Sequence, residues 1–599
     1  MAEKADSRFI VGIDLGTTNC VLSFIDTVED DRKIEIFPIP QIVSPGEVAE
    51  KELLPSFIYL PTQPEKEGGG LVMPWDPFGE RVIGEYARKR GAEVPGRLVA
   101  SAKSWLCHRG VDRTAPILPA DAPDDETRLS PVVASASYLR HIKAAWNSVM
   151  GGRHGEKLED QDVYITIPAS FDAVARDLTV KAAASAGLDH VTLLEEPQAA
   201  FYAWLNRNSD TWNRTVEPGD TVLVCDVGGG TSDFSMIRVE GEEGRLALER
   251  VAVGDHILLG GDNMDLAISW LKAEELKKQG TKLDRMQMQT LWHNCRLAKE
   301  QLLSDSSVDE VPVVITGRGT GLVGGTIRTS LRRDEVNEFI LDGFLPLCDL
   351  SDSPAAARRS GLQEMGLPYA PDSAITKYLA AFIRDNAPEN ASPMPSAVLF
   401  NGGVFKSSGI KQRLLDVMSL WAESEENTPI ELSGADLDLA VSRGAAFFGL
   451  ARRNNGLRIK SGLERTYYIG VEMARQAIPG MPAPVSALCI APKGTEEGTE
   501  IPLSGQTFGL VVGEAVEFQF LGAVSRAEDR VGEMIEDYEE HGIEPVASIK
   551  TSMEAPGIEP GTLIPVQIRA EVTEVGTLAL SLVSAERDVT FNLEFDVRN

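Results

Sequence analysis

Near the end of the chain, Val589, Phe591, Leu593, Phe595 and Val597 alternate with Thr590, Asn592, Glu594 and Asp596, the period of two of a strand with one buried face. Leu578, Leu580 and Leu582 repeat the pattern, and Pro479, Pro482, Gly505, Gly557 and Gly561 cut the region into short segments. The pattern predicts an all-β sandwich domain from 464 to 599. Residues 1–455 instead mix β-branched runs with helical periods, the last helical segment running from Asp436 to Arg453 until Asn454-Asn455-Gly456 stops it. That makes 1–455 an α/β domain and 456–463, with its basic Arg458-Ile459-Lys460, an interdomain linker. Stretches rich in Pro, Gly or charge at Thr62–Gly70, Leu118–Arg128, Ser351–Asp372 and Asn386–Pro395 predict surface loops.

One local pattern occurs twice, as Val11-Gly12-Ile13-Asp14-Leu15-Gly16-Thr17-Thr18-Asn19 and as Val224-Cys225-Asp226-Val227-Gly228-Gly229-Gly230-Thr231-Ser232-Asp233. Each copy is a strand, an aspartate, a Gly/Thr turn and a second strand. Glycine lets backbone N–H groups approach an anion closely and threonine hydroxyls add donors, so each hairpin can cradle a phosphate. An aspartate at the strand end can hold Mg²⁺ through water. Two such hairpins would grip a polyphosphate from both sides, and no GxxxxGK[ST] loop competes with them. The string Gly319-Thr320-Gly321-Leu322-Val323-Gly324 does match GxGxxG, but Thr326-Ile327-Arg328-Thr329 after it reads as a return strand, not the helix of a dinucleotide site.

Length and charge narrow the function classes. A chain of 599 residues exceeds what one core supports. With 58 Lys plus Arg against 90 Asp plus Glu, a net charge of −32 repels nucleic acid and anionic lipid, so neither is expected as a partner. The polar start Met1-Ala2-Glu3-Lys4 does not read as a secretory signal, and no run approaches a bilayer-spanning length, so a cytoplasmic protein is expected. Cys20, Cys107, Cys225, Cys295, Cys348 and Cys489 are scattered without metal-ligand spacing and read as free thiols.

Five features stand in order along the first domain: the paired hairpins, Ile167-Pro168-Ala169-Ser170-Phe171 leading to Arg176, Glu195-Glu196-Pro197-Gln198-Ala199-Ala200, Gly254-Asp255 with Leu259-Gly260-Gly261-Asp262, and Leu399-Phe400-Asn401-Gly402-Gly403. Together they resemble the nucleotide domain of the heat-shock protein 70 (DnaK-type) chaperones. The resemblance implies an actin-like, ribonuclease H-like ATPase fold of two lobes that binds ATP/ADP with Mg²⁺. It implies phosphate contacts at Asp14, Gly16, Thr17, Thr18, Asn19, Gly228, Gly229 and Gly230, with Asp14 and Asp226 holding the metal through water. Lys103, Glu196, Asp226, Thr231 and Asp233 take the catalytic places, Lys103 near the γ-phosphate and Asp233 near the attacking water. Gly260, Gly261, Lys299, Gly402, Gly403, Lys406 and Asp438 take adenosine-side places. Read without the resemblance, Lys103 is an exposed helix charge and Glu196 a solvated carboxylate whose Pro197 ends a strand.

Three departures stand out. Lys406 replaces a base-stacking arginine, and an ammonium lacks the planar face that stacks on adenine. In Cys295-Arg296-Leu297-Ala298-Lys299, Arg296 replaces the family's usual acid, and the serine that follows comes one place late, at Ser304. Pro168 and Arg176 match the family's interdomain relay, yet 456–463 is not the family's leucine-rich acidic linker. The resemblance further implies an unfolded or extended polypeptide as client, a J-domain co-chaperone and a nucleotide exchange factor. The chain's stop at Asn599 carries the expectation of a β-domain without a helical lid and of fast peptide exchange. Two other readings stay open: a nucleotide-sensing scaffold with one dedicated protein partner, and a sugar kinase or filament former of the same superfold.

Overall fold

The computed structural model describes residues 7–596 apart from 30–31, 109, 121, 123–126, 152–155, 210, 243–244, 305–306, 316–325, 357–366, 368, 388–391, 423, 425–426, 435, 454–458, 461–462, 464, 474–483, 496–498, 504–505, 524–525, 527, 554–558, 574–576 and 585–588. The chain divides into two compact units, Met1–Leu248 with Ala252–Arg458, and Glu249–Val251 with Ile459–Asn599.

The first unit is built on two sheets of the same plan. In one, the central strand Phe9–Leu15 pairs antiparallel with Asn19–Asp26 and parallel with Asp162–Ile167, which pairs parallel with Val191–Glu195. In the other, Thr221–Val227 pairs antiparallel with Ser232–Glu242 and parallel with Ala397–Asn401, which pairs parallel with Ile430–Glu431. The two Gly/Thr turns are therefore structural counterparts, each joining a central strand to its antiparallel neighbour. Parallel neighbours need long crossovers, and helix Ala173–Ser185 supplies one between Asp162–Ile167 and Val191–Glu195. Asp172 caps that helix by accepting from the Ala175 N–H at 2.7 Å.

Helix Ala440–Arg453 closes over the first sheet. Its Val441, Ala445 and Ala446 pack with Ile10, Ile25, Tyr164, Leu194 and Ala199, small side chains that let the helix approach closely. Asp436–Leu439 precede it as a turn, so the helix begins later than the sequence pattern predicts. Arg176 is buried below the 168–171 loop, its guanidinium donating to the carbonyls of Ala169 and Phe171 and, at 3.0 Å, to Glu195.

The second unit is largely β. One sheet runs Met534–Ile535, Val485–Ala491, Thr466–Glu472, Ala515–Ala523, Glu544–Ser552, and the other is built around Thr562–Val572, Thr577–Ser584 and Val589–Asp596. The predicted alternation holds: Leu578 faces Phe595, Leu580 faces Leu593, and Leu582 faces Phe591. These leucines share one core with Tyr467, Ile469, Leu488 and Phe520 from the other sheet, so the buried faces of the two sheets meet. Helical structure among the described residues of this unit is a single turn, Tyr538–His541.

Several expectations change. Gln63–Glu67 is a short helix inside the predicted loop Thr62–Gly70, because Thr62 and Glu65 form a capping box. Ile459–Lys460, expected as linker, is a strand. The rest of the expected boundary at 454–458, 461, 462 and 464, the GxGxxG string, Pro479, Pro482, Gly505, Gly557, Val597 and parts of the predicted loops lie outside the described residues. The return strand after that string is present, Ile327–Arg332 pairing antiparallel with Glu310–Ile315. Among the described residues no helix is long and apolar enough to cross a membrane.

Leu580 is fully buried where the two sheets meet, so Leu580→Ala is expected to cost about 3 kcal/mol. Scanning calorimetry should show the transition of the β unit falling by roughly 10 °C, and an unchanged transition would contradict the packing described.

Candidate functional site

A cavity of about 640 Å³ lies within the first unit, with the two Gly/Thr turns on its wall. Each turn is anchored from outside. The Ser56 N–H donates to the Thr18 carbonyl at 2.9 Å and its hydroxyl to Gly16 at 2.7 Å. The second turn is closed by Gly228 N–H to Thr231 at 2.9 Å, and the start of helix Gly261–Lys278 holds it through Gly261 and Asp262 N–H groups donating to Gly228 and Gly229. The turns touch: a Cβ placed on Gly229 would stand 2.2 Å from Thr18 Oγ1. Only glycine permits that approach, and it leaves two sets of backbone amides around one space.

Between the turns lie buried charges. Lys103 is 8% exposed, and its ammonium donates to Glu196 Oε1. Asp14 accepts from Thr166 Oγ1 at 3.1 Å, and Asp226 Oδ2 accepts from Asn401 Nδ2 at 2.8 Å. Burial pushes the Asp14 carboxyl up to about 7, with Lys103 opposing. Asp226 is pushed well above the ordinary value by burial and then by Glu196. Burial would lower Lys103, but Glu196 and Asp14 outweigh it, so the ammonium keeps its proton. Asn401 Oδ1 and Ser104 Oγ are buried without a hydrogen-bond partner. Three carboxylates, one ammonium and an open amide oxygen form a site short of positive charge. Hard, oxygen-rich donors of this kind suit Mg²⁺ shared with phosphate, and among the described residues no cluster of His, Cys, Asp and Glu forms a self-sufficient metal cage.

The other end of the cavity is lined by ion pairs. Lys299 bonds Asp265 at 2.6 Å and the Gly261 carbonyl at 3.2 Å, and Lys406 pairs with Asp438 at 2.6 Å. Arg296 reaches Glu300 at 3.0 Å and Asp262 at 3.2 Å, with its guanidinium 5.9 Å from the centre of the Phe57 ring. Gly402, at φ +91°, turns the chain so that Gly402 and Gly403 border the cavity with their backbone.

The sequence-predicted residues distribute as follows. Asp14, Gly16, Thr17, Thr18, Asn19, Lys103, Glu196, Asp226, Gly228, Gly229 and Thr231 line the cavity, as do Gly261, Lys299, Gly402, Gly403, Lys406, Asp438 and Pro168. Gly230 sits against Ser104 and Thr17, and Gly260 precedes the anchoring helix. Asp233 does not line the cavity but joins Ser170 and His256, and Arg176 is a buried pin under the 168–171 loop. Two residue-only readings fail: Lys103 is not exposed, and Glu196 opens helix Glu196–Arg207 with Pro197 in its first turn. Sequence reasoning did not single out Thr166, Asp265, Glu300, Ser170 or His256. Asp262 and Asp265 lie three residues apart on one helix, opposite Arg296 and Lys299 three apart on the next, a spacing the sequence did contain.

A family model described as Hsp70 protein matches residues 76–345. The chain is 31% identical over 366 residues to a "Chaperone protein HscA homolog" of Acidithiobacillus ferrooxidans, covering 58% of this chain and 49% of that protein. It is 30% identical over 313 residues to the "Chaperone protein DnaK" of Thermotoga petrophila and of Thermotoga maritima, covering 52% of this chain and 43% of each. The chain belongs to the heat-shock protein 70 family. Its homology to the chaperones is distant, and the aligned part spans about half the length of the curated relatives it matches. Family membership implies nucleotide binding.

Because Gly229 touches Thr18, Gly229→Ala should force the turns apart and weaken ATP binding at least tenfold, a change of about 1.4 kcal/mol. Gly343→Ala, whose Cβ would meet nothing within 4 Å, is the control. Equal affinities, measured with a fluorescent ATP analogue, would contradict the facing-turn geometry.

Proposed function

We propose that the first unit binds ATP with Mg²⁺ and hydrolyses it slowly, and that the β unit holds an extended polypeptide under nucleotide control, as a heat-shock protein 70 chaperone does. The observation that carries this reading is the pair of amide-bearing turns facing one cavity with the Lys103–Glu196 pair between them. Phosphoryl transfer asks mainly for positioning and charge neutralisation, and the residues present fit that demand.

The amides of residues 16–19 and 229–231 hold the phosphate chain, and Thr17 and Thr18 add hydroxyl donors. Lys103, fixed as an ammonium by Glu196 and Asp14, faces the terminal phosphoryl group and offsets its charge. Asp14, Asp226 and the open Asn401 oxygen are the groups suited to hold the metal's water shell, and Mg²⁺ when bound neutralises charge on the phosphates. Glu196 and Thr231 orient the attacking water. At the nucleoside end, Gly402 and Gly403 present backbone to the base and ribose, and Lys299 supplies a donor. The pairs Arg296–Glu300 and Lys406–Asp438 replace planar stacking on the base with charged edges, which favours hydrogen bonding over stacking. In the β unit a client peptide would add backbone hydrogen bonds and apolar side chains to a sheet edge.

Parent and Lys103→Ala are expected to differ at least a hundredfold in single-turnover ATP hydrolysis, the loss of one fixed charge at developing negative charge. Lys103→Ala should still bind ATP. Equal hydrolysis by the two proteins would remove Lys103 from the mechanism. For the β unit, a fluorescent apolar heptapeptide should bind with an affinity that changes between ATP and ADP. Nucleotide-independent or absent peptide binding would turn the reading toward a scaffold with one dedicated partner.

A further inference from the structure

Behind the phosphate end of the cavity lies a hydrogen-bonded cluster that the mechanism above leaves unused. Ser170 Oγ donates to Asp233 Oδ1 and lies 2.7 Å from His256 Nδ1, while His256 Nδ1 is 3.4 Å from the same Asp233 oxygen. The three residues come from three segments: the loop after Asp162–Ile167, the strand Ser232–Glu242, and the turn leading to helix Gly261–Lys278. The imidazole is seated edge-on against the Phe171 ring at 6.0 Å. Its side chain is 14% exposed and that of Asp233 is 6% exposed, so neither relies on bulk water for its orientation. The Thr231 side chain also interacts with Asp233 and lowers its carboxyl, and Thr231 is on the cavity wall. A continuous chain thus runs from His256 and Ser170 through Asp233 to a hydroxyl that faces the cavity.

We propose that His256 is a positioning residue for hydrolysis: with Ser170 it fixes the Asp233 carboxylate, and through it the Thr231 hydroxyl, in the orientation that the phosphoryl end of the cavity requires. The inference rests on the ATPase reading above. Its physical content is orientation plus charge. An aspartate held by two partners from other elements cannot rotate away from Thr231, and a threonine hydroxyl whose proton is committed to Asp233 presents its lone pairs to the cavity. Such a hydroxyl accepts from water, and it does not compete for the phosphate as a donor. Asp233 without its cationic partner would carry an unbalanced buried charge close to Asp226 and would repel the incoming polyphosphate.

The charged and titratable groups facing His256 are Asp233 on the strand side and the Cys107 thiol on the side of helix Ala102–Leu106, with Asp255 adjacent in its own turn. Burial would lower the imidazole, but Cys107 and Asp233 outweigh it and hold it well above the ordinary histidine value. Asp233 is correspondingly lowered, with His256 outweighing its burial. A histidine raised in the folded state stabilises the arrangement below its ordinary value near 6.5 and loses that contribution as pH rises through the raised value. The His256–Asp233 contact is therefore strongest on the acid side of the raised value and weakens as pH rises through it.

The test separates this role from simple folding. Single-turnover hydrolysis and ATP affinity are measured for the full chain and for His256→Ala, His256→Asn and Ser170→Ala across pH 6 to 10. His256→Ala is expected to lower the hydrolysis rate roughly ten- to a hundredfold, the scale of a small misplacement at a reacting centre, with ATP affinity within about threefold of the parent. His256→Asn, which keeps a donor near the Nδ1 position but cannot titrate, should recover part of the rate and lose the alkaline inflection of the parent. Ser170→Ala should lower the rate less. An NMR titration reads the contact directly: the His256 imidazole should titrate above the ordinary value in the parent and fall in Asp233→Asn. A parent that hydrolyses ATP beside a His256→Ala variant of equal rate and pH profile would overturn the inference alone. An imidazole that titrates at the ordinary value would overturn it too. A parent that does not hydrolyse ATP would remove the ATPase reading, and this inference with it.

Discussion

The structure turns on one close approach, that of Gly229 to the Thr18 hydroxyl. Two sheets of equal plan each offer a turn of backbone amides, and amides attract an anion only where they converge on the same space. A side chain at Gly229 would keep them apart. Around that contact the chain has buried Asp14, Asp226, Glu196 and Lys103, an arrangement that costs stability in an empty site, because burial favours neutral forms. The raised proton affinity of Asp14 and Asp226 is the visible form of that cost. On the proposed reading a polyphosphate with its cation offsets that cost, so the charges that destabilise the free protein are the ones suited to bind.

How much of this was legible in the sequence depends on the range of the interaction. The strands of the β unit were readable from their period of two, and Leu578, Leu580 and Leu582 face the partners that alternation requires, since a one-residue slip would turn every leucine to water. The two hairpins were readable because they repeat one local pattern. What local pattern cannot carry is burial decided by other elements. Lys103 reads as a helix surface charge until Glu196, 93 residues away, is placed against it, and Glu196 reads as solvated for the same reason. Thr62–Gly70 reads as a loop by composition, but a reciprocal Thr62–Glu65 cap outweighs the Gly content and makes a turn of helix.

The nucleoside end shows a related limit. Arg296 and Lys406 could be recognised in sequence as departures, yet their consequence lies in partners. Arg296 sits in a net of Asp262, Asp265 and Glu300, and Lys406 is committed to Asp438. Cations already held by carboxylates are poor stacking platforms, since each contact with a base face must compete with a charge-assisted hydrogen bond. The departures therefore bear on how firmly the base is held. The hairpin residues Asp14, Thr17, Thr18, Gly228, Gly229 and Thr231 line the cavity apart from these ion pairs, so the two ends are built from separate sets of side chains.

Asp233 is recognisable by its motif, but its place off the cavity wall is set by other elements. A carboxylate on the cavity wall would add a fourth negative charge where phosphate must sit. Asp233 is instead set beside Ser170 and His256, with Thr231 between it and the cavity. Asp226 and Asp233 are paired across the hairpin ladder, and the repulsion is relieved by the raised proton affinity of Asp226 and by His256 beside Asp233. Asp226 meets the cavity, where Mg²⁺ can serve. Asp233 meets His256, which leaves the cavity's positive charge to the phosphates.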